Sequence, residues 1–423
     1  MLKLYRWLTF FLLPLALLII FYRSIFNKED RLRYKEKIFS SAFNSNRNYK
    51  KKLFWFHVAS VGEFLSIIPL LKEIDKSHKD VDFLITSVTL SSSKLLEKKL
   101  GQNKNITHRF FPLDTEALSS SFINTWKPDF VFFVDSEIWP NFLFKIKERK
   151  IPLFLINGRI TKKTFNRWKI FPNFAKKVFN NFDFCFPSSR ESEKNLRKLK
   201  VKNINYIGNL KFSGKINTEN LNEQDQKQLG KFKVWCAAST HEGEETIILK
   251  THAEIKKNYN NIFTIIIPRH INRVNRIKYL SNKHNLNSQI LNDGDLINSN
   301  TEILIINSFG VLSKYFNYCK TIFIGKSFIK KLKRVGGQNP IEAAKSGCKI
   351  FHGPYIYNFQ EVYNFLELHN ISEKIEDEKQ LSEKIIENFK NSKQINQERI
   401  DFLNIHGDEI LKRTVKEINK MIQ

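Results

Sequence analysis

Cysteine is scarce in this chain of 423 residues: Cys185, Cys236, Cys319 and Cys348 stand far apart, each inside or beside an apolar strand-like run. Their spacing excludes a disulfide framework and a cysteine-based metal site, and reads as small buried hydrophobes in a reducing compartment. Negative charge is also short, with 42 Asp and Glu against 70 Lys and Arg, a formal balance of +28. Such an excess calls for an anionic partner: nucleic acid, an anionic membrane surface or a phosphorylated substrate. The lysines are spread along the whole chain among Asn, Ile and Phe, a texture that codon bias alone would also produce. Zinc-ligand Cys/His spacing and an aromatic RNA-binding strand are both missing, so membrane and phosphate are favoured over nucleic acid. No short-period repeat is apparent.

What is present is apolar and aromatic. Hydrophobic residues make up 42% of the chain and Phe alone occurs 38 times, which marks a folded protein long enough for two separate cores. The one long uncharged run is "WLTFFLLPLALLIIFY", residues 7 to 22. Lys3 and Arg6 precede it, and Arg23, Lys28, Arg31, Arg33, Lys35 and Lys37 follow it. No small-x-small cleavage site follows, and the basic flank resists translocation. The run therefore reads as an uncleaved N-terminal hydrophobic anchor helix, within residues 1–30, that leaves the rest of the chain in the cytoplasm. Its shortness and Pro14 also allow a helix lying in the membrane interface.

Beyond the basic neck, short apolar runs alternate with amphipathic stretches. "LFWFHVAS" (53–60), "DFLITSV" (82–88), "HRFFPL" (108–113), "PDFVFFVD" (128–135), "IPLFLING" (151–158) and "FDFCFPSS" (182–189) form a first series. A polar join follows at 206–232, and the pattern restarts with "KVWCAAST" (233–240), "FTIIIPRH" (263–270), "EILIINS" (302–308), "KTIFIG" (320–325) and "CKIFHG" (348–353). This alternation predicts α/β architecture: two mainly parallel sheets covered by helices, an N-terminal domain over 31–213 and a C-terminal one over 214–423. Ligands of open parallel sheets bind beyond the carboxyl ends of strands, which places the site in a cleft between the domains.

Several polar clusters stand at those strand ends. In "HVASVGEF", Ser60 and Glu63 have capping-box spacing, the reading that spacing alone favours, and the alternative is Glu63 as a general base whose ionised form a helix N-terminus favours. Glu137 in "VDSEIWPN" precedes a helix begun by Pro140, where an acid is also ordinary helix-start chemistry. Asn157 and Arg159 in "INGRITKKT" can hold an anionic acceptor or simply line a solvated loop. Arg269 and His270 close a strongly apolar strand, where a guanidinium can grip phosphate or carboxylate. In "GGQNPIEAAKSG", Gly336 and Gly337 allow close backbone approach, the helix from Pro340 can face phosphate oxygens, and Glu342 can bind ribose hydroxyls. "STHEGEE" begins like a zinc-protease helix, but Glu245 stands where the second histidine should be, so Ser239 and Glu242 read as a capping box. No metal and no cofactor are expected.

Taken in order, "HVASVGEF", "DSEIWPN", "IPLFLINGRIT", "GNLKF", "AASTHEGEE", "PRH", "GGQNPIEAA" and "GPYIYNF" resemble the 3-deoxy-D-manno-octulosonic acid (Kdo) transferases of lipopolysaccharide synthesis. The resemblance covers nearly the whole chain. It implies a GT-B fold, two Rossmann-like domains facing a cleft, and an inverting, metal-independent transfer of Kdo from CMP-Kdo to a lipid A precursor, lipid IVA. The reaction would lie at the cytoplasmic face of the inner membrane, whose anionic surface the basic neck would meet. By the same resemblance Glu63 is the catalytic base and Glu137 the second functional carboxylate. Arg269, His270, Gly336, Gly337, Asn339 and Glu342 bind the donor, with Lys211 of "GNLKF" at the hinge. The sequence departs from the family pattern at Asp135, usually Glu, at Lys326, usually Gly, and at Gln338, usually His. Another GT-B glycosyltransferase or a nucleotide-sugar epimerase would share the two-domain plan, but a soluble epimerase would lack the anchor and the "SVGEF" turn.

Overall fold

The computed structural model describes residues 1–43, 47–78, 80–215, 220–308, 310–391 and 397–422. Part of the polar join, 216–219, lies outside them. Six strands form the first sheet: β1 (Lys52–Val58), β2 (Val81–Ser87), β3 (Ile106–Phe110), β4 (Phe130–Val134), β5 (Leu153–Gly158) and β6 (Phe184–Pro187). Their order is β3-β2-β1-β4-β5-β6 and every pairing is parallel. β4, β5 and nearly all of β1 are buried along their length, as strands covered by helices on both faces must be.

Phenylalanine has a specific use here. Phe56, Phe132, Phe154 and Phe184 stack across β1, β4, β5 and β6, with ring centroids 4.4, 4.8 and 5.6 Å apart. Each such pair adds roughly 0.5–1.5 kcal/mol beyond its buried area. Trp55, on the opposite face of β1, joins Phe122, Phe133 and Phe142 in the second half of that core.

The second sheet holds β7 (Lys233–Thr240), β8 (Ile262–Pro268), β9 (Ser288–Leu291), β10 (Ile303–Ile306), β11 (Thr321–Ile324), β12 (Lys349–His352) and β13 (Ser372–Lys374). It runs β13-β12-β11-β7-β8-β10-β9, again all parallel. Both sheets are the expected Rossmann-like arrangement. β9 and β13 are absent from the sequence reading; they are short edge strands, largely half-buried, without an apolar run to announce them.

The chain divides into two compact units, Met1–Gly214 with Gly407–Gln423, and Lys215–His406. The sequence places the domain division at 213/214; here the first unit's main segment ends at Gly214, and residues 407–423, assigned from sequence to the second domain, lie in the first unit. Gly407 makes the return possible, because a Cβ there would lie 2.1 Å from the Phe212 carbonyl oxygen. Only glycine lets the helix Gln397–Ile422 pass that close to the 3-10 turn Leu210–Ser213.

The hydrophobic N-terminus is not one helix. Leu2–Phe11 and Leu13–Ile25 meet at a 48° bend; neither alone is long and apolar enough to cross a membrane, while the pair together passes by length and composition. Pro14 lies in the first turn of the second helix, where its missing N–H costs the ladder nothing, and the bend falls just before it.

Candidate active site

Strand order reverses in the first sheet between β1 and β4, and the loops after these two strands carry the acids nominated from sequence. A switch point of this kind opens a crevice at the strand ends. After β1, Ser60 caps the helix Val61–Ser77 and Glu63 completes the box: the Ala59 N–H donates to Glu63 Oε2 at 2.7 Å and the Ser60 hydroxyl to Oε1 at 2.9 Å. The capping reading is therefore correct, and it fixes the carboxylate in place. The helix N-terminus, expected to favour the ionised form of Glu63, is opposed by burial. Burial pushes its carboxyl up to about 7, reinforced by the negative charges of Asp135 and Glu137 and only partly opposed by the Ala59 N–H and the Ser60 hydroxyl. A carboxylate poised there can both take and hold a proton near neutrality.

Glu137 is fixed from two sides. Its Oε2 accepts from the Trp139 indole N–H at 2.8 Å and lies 3.2 Å from His57 Nε2. His57, fully buried at the end of β1, stacks on Phe111 at 3.8 Å, and its Nδ1 is 3.0 Å from the Thr86 hydroxyl. With a proton on Nε2 the ring donates to Glu137, and Nδ1 accepts from the Thr86 hydroxyl. Sequence reasoning missed His57, although it opens the quoted motif; a lone histidine in a strand gives no signal without Thr86 and Glu137 beside it.

Asp135, next to Glu137, is buried with φ of +60°, a left-handed conformation that Asp tolerates better than most residues. Burial would raise its carboxyl, but the Lys211 ammonium 2.8 Å away, the nearby Arg159 and the Ser136 hydroxyl hold it below the usual range. Lys211, expected to bind donor at a hinge, is thus engaged with the acid cluster of its own unit. Asn157 is also redirected. Its Oδ1 accepts from the Leu210 N–H at 2.9 Å, pinning "GNLKF" to the end of β5, while its buried Nδ2 has no partner among the described residues. Arg159 stays half-exposed beside Asp135, whose carbonyl accepts its N–H at 2.9 Å. First-unit Glu63, Glu137, Arg159 and Lys211 consequently form one charged group around Asp135.

In the second unit the order reverses at β7 and β11. Arg269 and His270 are exposed directly after β8, and His270 faces His241 with ring centroids 5.6 Å apart. Partial burial and the charges of Lys326, His270 and Arg269 push His241 down to about 4, while its Nδ1 proton is held on the Ser239 carbonyl. Arg269, His270 and Lys326 thus gather around an uncharged His241 at neighbouring strand ends and suit an anionic ligand.

Other expectations for this unit change. The Ser239–Glu242 capping box does not form: Ser239 adopts φ of +58° and the helix Glu244–Lys256 starts after Gly243 with no side-chain cap. Glu244 does the work instead. Its carboxylate accepts the N–H groups of His241, Lys326, Ser327 and Phe328 at 2.7–3.0 Å, tying the loop after β11 to the loop after β7. Gly336 is required by the protein's own backbone, since a Cβ would lie 2.1 Å from the Tyr355 carbonyl oxygen, and Gly337 has φ of +89°. The approach these glycines permit is therefore internal. Asn339 is exposed and accepts the Ile341 N–H at 3.2 Å, just before a helix of only five residues, Ile341–Lys345. Burial raises the Glu342 carboxyl, and the Ser313 hydroxyl and N–H, which it accepts, oppose the rise. A ribose would have to compete with those contacts.

Residues 31–214 match the family model described as 3-deoxy-D-manno-octulosonic-acid transferase (kdotransferase). A 3-deoxy-D-manno-octulosonic acid transferase of Rickettsia bellii is 34% identical over 358 residues, covering 84% of this chain and 82% of the relative. That of Rickettsia felis is 31% identical over 404 residues, 84% of each chain. Among solved structures, UDP-GlcNAc 2-epimerase from Neisseria meningitidis superposes with a TM-score of 0.57 at 13% identity, over 88% of this chain and all of that one, a likeness of fold.

Proposed function

Since the chain belongs to the 3-deoxy-D-manno-octulosonic acid transferase family, we propose that it moves Kdo from CMP-Kdo to the lipid A precursor lipid IVA by a single inverting displacement. The observation that carries the reading is Glu63, fixed at the β1 switch point with its carboxyl near 7. In the proposed step the acceptor hydroxyl oxygen attacks the anomeric carbon of Kdo and Glu63 takes the hydroxyl proton. The bond from that carbon to the CMP phosphate oxygen breaks, and CMP leaves with the electron pair. General-base assistance of this kind is worth about 10²–10⁴ in rate.

Each unit has a part in this reading. Glu137, held by Trp139 and His57, supports Glu63 through its charge and lines the acceptor side with Arg159 and Asn157. Lys211 neutralises Asp135, so that of the two acids beside Glu63 one is paired with an ammonium and the other, Glu137, is held by Trp139 and His57. In the second unit Arg269, His270 and Lys326 take the donor's phosphate and carboxylate, and neutralise charge developing on the departing phosphate without a metal. Gly336, Gly337 and Asn339 shape the loop that carries Glu342 to the nucleotide. The site works at the cytoplasmic face of the inner membrane, with the N-terminal helices and basic neck on its anionic surface.

The test is CMP release by the detergent-solubilised protein from freshly made CMP-Kdo, with and without a tetraacylated lipid A precursor. Release that requires the lipid supports the assignment; a folded protein that binds CMP yet never turns over with this acceptor refutes it.

A further inference from the structure

The two ends of the hydrophobic N-terminal segment are pinned to consecutive residues of the first unit. At its start, the Tyr5 hydroxyl donates to Asp114 Oδ2 at 2.7 Å, and Arg6 pairs with Glu116 at 2.6 Å. Asp114 is itself buried and held in place by the N–H groups of Asn141 and Phe142 at 3.2 and 3.0 Å. Beyond the segment, the Lys37 carbonyl accepts the Leu113 N–H at 2.9 Å, and the Lys37 ammonium donates to Glu29 at 2.6 Å and to the Val88 carbonyl at 2.7 Å. Arg23 completes this second anchorage on Glu29 at 2.9 Å.

A chain whose residues 5 and 37 both bond to the 113–114 loop cannot have its two ends on opposite sides of a bilayer about 30 Å thick. Between those anchorages, helices of 10 and 13 residues rise about 15 and 20 Å, each short of that thickness. Their outer surface is nonetheless apolar: Trp7, Phe10, Phe11, Leu15, Leu18 and Tyr22 are all more than half exposed. Exposed Lys3, Arg23, Lys28, Arg31 and Lys35 flank that surface. An apolar wedge rimmed by cations, with both ends tied to one domain, suits one occupant: the surface of an anionic lipid leaflet.

We propose that residues 1–43 are a monotopic wedge that enters and leaves the same leaflet, latched by Tyr5–Asp114 at one end and by Lys37 to Leu113 and Val88 at the other, and that does not span the membrane. The proposal deepens the membrane part of the function above and rests on it. It also gives the latch a consequence, since Asp114 caps the helix Pro140–Glu148, whose preceding turn carries Glu137 and Trp139. The wedge thereby fixes the acceptor-side loop relative to the lipid.

The full-length protein tests this with single cysteines introduced at exposed Lys3→Cys and Lys28→Cys, the native cysteines all being buried. Membrane-impermeant maleimide is applied to intact spheroplasts and to inverted inner-membrane vesicles, with detergent-solubilised protein as the measure of full reactivity. Both positions should react in inverted vesicles and remain at background in spheroplasts. Lys3→Cys reacting from outside while Lys28→Cys reacts only from inside would establish a span and overturn the proposal, as would recovery of the chain in the soluble fraction. Flotation with phosphatidylglycerol vesicles but not with phosphatidylcholine vesicles at low salt is the expected occupant result; equal flotation with both would remove the cationic rim from the account. Neither readout depends on sugar transfer, so loss of the transferase assignment and loss of the wedge are separable.

Discussion

Lys211 and Asp135 form a buried ion pair, Nζ to Oδ2 at 2.8 Å, that ties the last turn of the first unit's main segment to the strand end beside Glu137. Removing one member leaves the other charge buried without compensation. Lys211→Met should lower stability at pH 7 by about 3–5 kcal/mol, and adding Asp135→Asn should recover much of that loss. Because Asp135 is held below the ordinary carboxylate range, the pair's contribution is present above that range and fades as pH falls through the depressed value. Denaturant titrations of both variants at pH 7 and at a pH well below the ordinary carboxylate range check this; equal losses in single and double variants would rule out the pair as the source.

Glu244 receives four backbone N–H groups, so Glu244→Ala orphans all of them at once. A loss of about 3 kcal/mol or more is expected, with CMP binding weakened as the loops after β7 and β11 separate. Glu244→Gln keeps one acceptor oxygen and should fall between. Thermal unfolding followed alongside CMP titration separates this staple from a direct ligand role, which would abolish binding while leaving the melting temperature unchanged.

Lys326 has φ of +60°, a conformation that costs an L-residue roughly 1–2 kcal/mol. Lys326→Gly should therefore raise stability by about 1 kcal/mol while weakening donor binding through the lost charge. The melting temperature and the dissociation constant for CMP should both rise, a firmer fold with a looser ligand. A melting temperature that falls would show that the Lys326 side chain is worth more than its backbone strain.

Glu137 raises the Glu63 carboxyl by its negative charge. Glu137→Gln removes that charge at nearly constant shape, so the acid limb of kcat/KM should move to lower pH even as the maximal rate falls. A limb that stays where it is in the wild type would mean that the two carboxylates are not coupled in the working enzyme.

Much of this was legible in the sequence. Buried parallel strands announce themselves as continuous apolar runs, and β1, β4, β5, β7 and β8 all fall within or across the runs read from composition. The capping box at Ser60 and Glu63 is local and was also readable. What escaped depends on groups far apart in the chain. Glu244 finds Lys326–Phe328 across 82 to 84 positions, and His57 finds Glu137 across 80. Glycines at 336 and 337 looked like a ligand cradle because closeness of backbone to backbone and of backbone to ligand demand the same residue. The single anchor helix likewise broke in two, since hydropathy reports apolarity but not the bonds of Tyr5 and Lys37 that bring its ends together.

The central claim is that Glu63 is the base, and its pH profile tests that most directly. kcat/KM for lipid-dependent CMP release by the wild type should rise about tenfold per pH unit and level near 7, where burial sets the Glu63 carboxyl. Glu63→Gln keeps an acceptor for the Ala59 N–H, so it should fold and bind CMP, yet lose about 10²–10⁴ of the rate together with that limb. An unchanged limb in Glu63→Gln would assign the titrating group elsewhere and contradict the mechanism.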